Sequence, residues 1–166
     1  MARIWKFGKD VDTDQIVPGR YAPYMLKEVQ DVKDYAFYEA RPDFAANARP
    51  GDIIVADENF GCGSSREYAP EALRRRQIGA IIAPSFARIF FRNAINLGIP
   101  LYESDEAHGL VADGEEATLD LEQNHLQTAS TTLALPSLPP FALEIMQAGG
   151  IVPFVREYGR FPGEEK

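Results

Sequence analysis

The sequence predicts an α/β fold: a mixed sheet with flanking helices. Three observations carry that expectation. Residues 53–56 and 79–83 are short, wholly apolar runs bounded by turn signals, as strands buried on both faces are. Helical segments at 67–76 and 85–97 alternate with them, which is the βαβ pattern. Beyond residue 103 the pattern changes to apolar–polar alternation at 117–121 and 131–135, the period of antiparallel strands.

Taken in order, residues 3–7 read as a short strand and 10–20 as a loop with Pro18-Gly19 as its turn signal. Residues 32–39 read as a helix that stops before Pro42. Arg49-Pro50-Gly51-Asp52 forms the turn into the strand at 53–56. Residues 59–66 are a loop rich in glycine and serine. The helix at 67–76 tolerates Pro70 because first-turn N–H groups have no helical partner. After the strand at 79–83, Ser85 suits an N-cap and Gly98 the C′ position of a helix ending at Leu97. Phe86, Ile89, Phe90 and Leu97 would share its apolar face. Residues 100–103 return as a strand. Pro139-Pro140 opens a last helix through Gln147, and Gly149-Gly150 breaks it.

A chain of 166 residues is expected to form one domain over 1–166, large enough to bury a core without staples. Its net charge of −8, from 17 basic and 25 acidic residues, disfavours nucleic acid as a partner. No apolar run is long enough to span a bilayer, and the first residues lack a signal-peptide core, so a cytoplasmic setting is expected. The charge is uneven. No Lys or Arg occurs between Asn93 and Val155, a stretch that holds nine acids and reads as a solvated face or a partner-steering surface. One cysteine and two histidines are too few for a metal site of the chain's own, so metal chemistry would need borrowed ligands. His108 and His125 read as surface residues. Arg74-Arg75-Arg76 reads as the solvated face of a helix or a contact to a partner.

The densest chemical signal is Glu58-Asn59-Phe60-Gly61-Cys62-Gly63-Ser64-Ser65-Arg66-Glu67, between a buried strand and a helix. Such a junction offers free N–H groups and the positive end of a helix dipole. Ser64 and Ser65 add hydroxyls, and Arg66 adds a planar fork suited to a carboxylate. This is a small-anion site, with carboxylate and phosphate both open. A second reading is purely structural: Ser64 or Ser65 caps the helix and the glycines turn the chain. The loop is neither a P-loop nor a nucleophile elbow, and neither histidine stands in a recognisable relation to Ser64, which leaves a serine hydrolase poorly supported.

Gly61-Cys62-Gly63-Ser64-Ser65-Arg66-Glu67-Tyr68-Ala69-Pro70 resembles the signature of the small subunits of 3-isopropylmalate dehydratase and homoaconitase, also found in the swivel domain of aconitase. The stretch Asp12 to Tyr21, the run Arg49 to Val55, Pro84 to Asn93 and Asn96-Leu97-Gly98 agree with the same family in the same order. The resemblance implies a swivelling β/β/α domain and a hydro-lyase that moves a hydroxyl by dehydration and rehydration of a hydroxy polycarboxylate. It implies no cofactor on this chain, a [4Fe–4S] cluster on a large subunit, and a heterodimer or heterotetramer. Ser64 would be the general base, and Ser65 and Arg66 would hold a substrate carboxylate. Asp14 would orient a histidine of the large subunit, or simply form an Asx turn.

Tyr68 departs from the family pattern, standing where many relatives carry histidine. Residues Tyr21, Ala22, Pro23 and Tyr24, with Arg20 just before, occupy the segment that discriminates substrates. An apolar loop here, with Pro23 where many homoaconitase small subunits carry arginine, favours isopropylmalate, whereas Tyr21-Ala22-Pro23 followed by the aromatic Tyr24, the opening Ile4-Trp5-Lys6-Phe7-Gly8 and the ending Gly159-Arg160-Phe161-Pro162-Gly163 look like a homoaconitase small subunit. The loop could also be a tip that orders only against the partner. Outside the family reading, the same residues would serve a stand-alone module binding phosphate or a dicarboxylate.

Overall fold

The computed structural model describes residues 1–27 and 31–164. The uninterrupted apolar runs form its central strands. Four strands, β1 (Ala2–Lys6), β2 (Ile53–Val55), β3 (Ala80–Ala83) and β4 (Leu101–Glu103), run parallel, with Ile4 opposite Ile53, Ile53 opposite Ala80 and Ile81 opposite Leu101. Three more, β5 (Glu116–Asp120), β6 (His125–Thr128) and β7 (Thr132–Ala134), add an antiparallel meander to the other side of β1. The sheet order is β4-β3-β2-β1-β5-β6-β7, the mixed sheet expected.

Because side chains alternate across a strand, the parallel half feeds two separate cores. Trp5, Ile54, Ile81 and Leu101 point to one face. Ile4, Ile53, Val55, Ile82 and Tyr102 point to the other. The first face is covered by α1 (Thr13–Ile16), α2 (Pro42–Asn47), α3 (Tyr68–Arg75), α4 (Arg88–Asn96) and α6 (Pro140–Gln147), through residues such as Ile16, Phe44, Leu73, Phe90 and Ile145. The second is closed by α5 (Ala107–Leu110) and the meander, through Ala107, Val111, Leu126, Leu133 and Leu138. A last helix, α7 (Ile151–Tyr158), buries Phe154. No helix of the described residues is long and apolar enough to cross a membrane.

The turn before β2 carries a buried staple. Asp52 is 4% exposed, and its carboxylate accepts from the Arg3 N–H (2.9 Å), the Trp5 indole N–H (2.8 Å) and the Arg49 N–H (2.9 Å). A carboxylate can be buried here because three donors replace its water.

Several local expectations change. The loop at 10–20 contains α1, nucleated by a capping box: the Gln15 N–H donates to Asp12 Oδ1 (2.7 Å), and the Asp12 N–H donates to Gln15 Oε1 (3.0 Å). The helix expected at 32–39 is a 3-10 turn, Val32–Tyr35, because Phe37 turns the chain with φ 55°. Pro42, read as a stop, is instead the first residue of α2, where its fixed φ favours helix. Ser85 does not cap α4. Phe86 instead bridges to Phe60, the extended Ala87 is the N-cap, and Ile89 is 53% exposed, so the buried face is Phe90, Ala94 and Ile95. The sequence reading misses α5, β6 and α7. Neither histidine lies fully at the surface: His108 is half-buried with Nε2 3.0 Å from the Phe7 carbonyl, and His125 is half-buried in β6.

Candidate active site

The loops after β1, β2 and β3 all leave the carboxyl edge of the parallel strands, where open α/β sheets place their ligand sites. The glycine-serine loop lies between the other two and pairs with both. On one side the Gly61 N–H donates to the Val11 carbonyl (2.7 Å) and the Thr13 N–H to the Cys62 carbonyl (2.9 Å). On the other, the Phe60 N–H donates to the Ser85 carbonyl (3.0 Å) and the Ala87 N–H to the Phe60 carbonyl (2.9 Å). The Ser85 hydroxyl, free of any capping duty, accepts from the Asn59 N–H (2.9 Å). Strand-like pairing thus continues past the end of the sheet.

The glycine at 61 is dictated by geometry. Its φ is +79°, and a Cβ there would lie 2.2 Å from the Phe90 ring. Beyond it the chain turns outward. The Ser64 carbonyl accepts from the Thr13 hydroxyl (3.1 Å) and from the Arg66 N–H (2.7 Å), which ties the serine backbone to α1 and to its own turn. Both serine side chains are exposed. Among the described residues neither hydroxyl has a hydrogen-bond partner. The capping alternative fails on this point, since the N-cap of α3 is Glu67 and it makes no side-chain capping bond.

Arg66 crosses back to the loop after β1. Its Nη1 donates to Asp14 Oδ1, an oxygen that also accepts from the Gly19 N–H (3.3 Å). Gly19 packs against the guanidinium, with an added Cβ falling 3.4 Å from Nη1. Burial pulls the Arg66 pKa down, but the Asp14 bond and the nearby Tyr68, Asp14 and Tyr24 more than offset it, so the fork stays charged. For Tyr68, burial is the largest influence and holds the phenol above its usual pKa, against the opposing field of Arg66. Tyr68 and Tyr24 therefore stand beside the Arg66–Asp14 pair.

The segment at 20–24 is built mostly from aromatic packing. Tyr21 stacks on Tyr35 at 4.3 Å and meets Tyr38 edge-on at 5.6 Å. Ala22 is fully buried beneath it. Pro23 is exposed, and Tyr24 is 80% exposed, at the rim. Arg20 turns away onto Glu39, with Nε 2.6 Å from Oε1. The structure thus brings Ser64, Ser65, Arg66, Asp14 and Tyr24 to one edge, with Ala22 as support and Arg20 engaged elsewhere. Sequence reasoning marks Tyr68 only as a departure from the family pattern. Its place beside Arg66 comes from standing two residues later as α3 begins.

The residues at this edge do not fit a metal cluster. Burial and the fields of Asp12 and Asp10 raise the Cys62 thiol above its usual pKa, which disfavours the thiolate a cluster needs. Among the described residues no three His, Cys, Asp or Glu gather to hold an ion.

Comparison with known proteins agrees with this architecture. A family model described as the aconitase C-terminal domain matches residues 10–106. The chain is 51% identical to the 3-isopropylmalate dehydratase small subunit 1 of Deinococcus radiodurans, over 99% of this chain and 92% of that one. It is also 51% identical to the homoaconitase small subunit of Thermus thermophilus, over 99% of this chain and 100% of that one. The isopropylmalate/citramalate isomerase small subunit of Methanocaldococcus jannaschii is 45% identical over 93% and 92% of the two chains. A crystal structure of 3-isopropylmalate dehydratase from that organism superposes with a TM-score of 0.85 at 36% identity, covering 95% of this chain and 93% of the other. The three curated relatives are named as small subunits of a dehydratase, a homoaconitase and an isomerase, which implies a large partner and overturns the stand-alone anion-binding module. The chain belongs to the aconitase C-terminal domain family and, within it, to the small subunits of the 3-isopropylmalate dehydratase and homoaconitase type.

Proposed function

We propose that residues 1–166 act as one swivel domain, supplying the base and carboxylate grip of a cytoplasmic enzyme whose preferred substrate is 3-isopropylmalate. The observation that carries the substrate choice is the rim at 20–24. Arg20, its cation, is engaged by Glu39, and the remaining lip of Pro23 and Tyr24 is uncharged. Such a lip suits an isopropyl group and offers a further carboxylate no cation. Identity of 51% to a homoaconitase small subunit favours the second reading, homoaconitate.

In this reading Ser64 Oγ takes the proton alpha to a carboxylate as the hydroxyl on the neighbouring carbon leaves, and returns it on rehydration. A serine anion needs donors around it. The backbone N–H groups of Ser64 and Ser65, which have no partner among the described residues, and the charged Arg66 supply them, once a docked partner excludes water. Ser65 and Arg66 hold a substrate carboxylate, while Asp14 fixes the Arg66 fork and orients a histidine of the large subunit. In the same reading the large subunit carries the [4Fe–4S] cluster, in a heterodimer or heterotetramer, which the single cysteine of this chain supports.

The test is reconstitution with a cluster-loaded large subunit and assay on 3-isopropylmalate and homoaconitate side by side. Turnover on isopropylmalate is expected to exceed that on homoaconitate; the reverse order would establish the second reading. Ser64→Ala should lower kcat by about 100-fold or more with little change in KM, as loss of a general base does. Full turnover in that variant would remove Ser64 from the chemistry.

A further inference from the structure

We propose that Thr13 is a positioning residue for Ser64: its hydroxyl holds the peptide unit between Ser64 and Ser65 so that the Ser65 N–H faces the open edge where the serine anion forms. The inference rests on the reading of Ser64 as the base and deepens it. Thr13 is 2% exposed, and its seat is fixed from several sides. Its N–H donates to the Cys62 carbonyl (2.9 Å), its carbonyl accepts from the Val17 N–H (3.0 Å), and Asp12 before it closes the capping box of α1. From that seat Oγ1 donates to the Ser64 carbonyl at 3.1 Å, a contact between residues 51 apart in sequence. Gly63 permits the approach. Its φ is +93°, and an added Cβ would lie 3.4 Å from Thr13 Oγ1.

A peptide unit is planar, and in the trans form its C=O and N–H point in opposite directions. The unit between Ser64 and Ser65 is trans. Its carbonyl turns toward Thr13 Oγ1 and the Arg66 N–H (2.7 Å). The N–H of the same unit, that of Ser65, therefore points away from α1, and it has no partner among the described residues. Turning the unit over would present a carbonyl oxygen to the forming anion and to a substrate carboxylate, which would repel both. The Arg66 N–H closes only a local turn and follows the unit as it tilts. The Thr13 hydroxyl is the donor anchored outside that turn. The Arg66 fork is held separately, by Asp14, so Thr13 bears on the anion and not on the carboxylate grip.

The test uses Thr13→Val and Thr13→Ser in the reconstituted complex. Valine keeps the shape and removes the donor; serine keeps the donor and removes the methyl. In Thr13→Val the Ser64 carbonyl retains the Arg66 N–H, so no acceptor is orphaned and the chain is expected to fold. Thr13→Val should lower kcat on the preferred of the two substrates about ten-fold, the size of one hydrogen bond, with KM within about two-fold, because the anion forms only on the way to the transition state. Thr13→Ser should keep kcat within about two-fold of the parent. A parent-like kcat in Thr13→Val would overturn the inference. So would an equal loss in both variants, which would mark a packing role, or a raised KM with kcat unchanged, which would mark a binding one. A second readout is independent of turnover. In the free chain, the Ser64 carbonyl-carbon NMR signal should move upfield in Thr13→Val and keep its parent position in Thr13→Ser. An unmoved signal in Thr13→Val would overturn the placement. If that signal moved while Ser64→Ala kept full turnover, the hold of Thr13 on the peptide would be upheld and only the reading of Ser64 as the base would fail.

Discussion

At the scale of single residues, the most consequential side chain outside the active edge is Asp52. Its two oxygens satisfy three donors from β1 and the turn before β2, one of them the indole of the buried Trp5. Asp52→Ala would leave those donors without partners in a water-poor place. It is expected to cost about 3 kcal/mol, read as a lower midpoint in chemical denaturation with an unchanged slope. Such a role is invisible in sequence, where Arg-Pro-Gly-Asp reads only as a turn. The active edge is more legible. Ser64, Ser65 and Arg66 stand out because adjacent hydroxyls and a guanidinium after glycines have few structural reasons to occur together. What the linear order hides is that Asp14, 52 residues away, closes on Arg66. Pairing between the loops after β1 and β2 brings them together, and no local propensity encodes that.

At the scale of elements, the strands of the parallel half are readable because burial on both faces leaves an uninterrupted apolar run. The meander is only half readable. β6 buries Leu126 but exposes Gln127, and its four residues carry too short an alternation to stand out. Helix starts are the weakest point. Ser85 has the right chemistry for a cap, but pairing of residue 60 with 85–87 holds the chain extended and delays α4 by two residues beyond the expected start. The turn between β6 and β7 is pinned by a carboxylate as well. Glu115 accepts from the Ala112 N–H (3.0 Å) and the Ser130 hydroxyl (2.7 Å). Those bonds, the Ala112 N–H foremost, and the nearby Thr128 hydroxyl hold its pKa at about 2 instead of the ordinary 4.5. A pKa lowered on folding stabilises the folded state above the unfolded value, and that contribution fades as pH falls toward the folded one. Glu115→Gln should therefore melt below the parent at neutral pH, and the gap should narrow between about pH 4.5 and 2. A gap that stayed constant over that range would refute the assignment.

At the scale of the whole molecule, the family match ends at residue 106, yet the second core depends on the residues beyond it. Ile4, Ile53, Val55, Ile82 and Tyr102 are covered by residues from Ala107 to Leu138. A chain cut after Glu106 would present that face to water, and it is expected to aggregate or to bind the dye ANS strongly. A soluble, cooperatively melting fragment would contradict this. The acidic stretch also has a partly internal use, since Asp113 pairs with Arg41 and Glu144 with Arg160. Its charge is therefore not all solvated surface. The pairing of the glycine-serine loop with both neighbouring loops bears on how the protein fails when heated. The amides of Phe60, Gly61, Thr13 and Ala87 are locked as in a strand interior, so they should resist hydrogen exchange until the sheet itself opens. Thermal inactivation and global melting would then coincide, with no range of temperature in which a folded chain has lost the shape of its working edge.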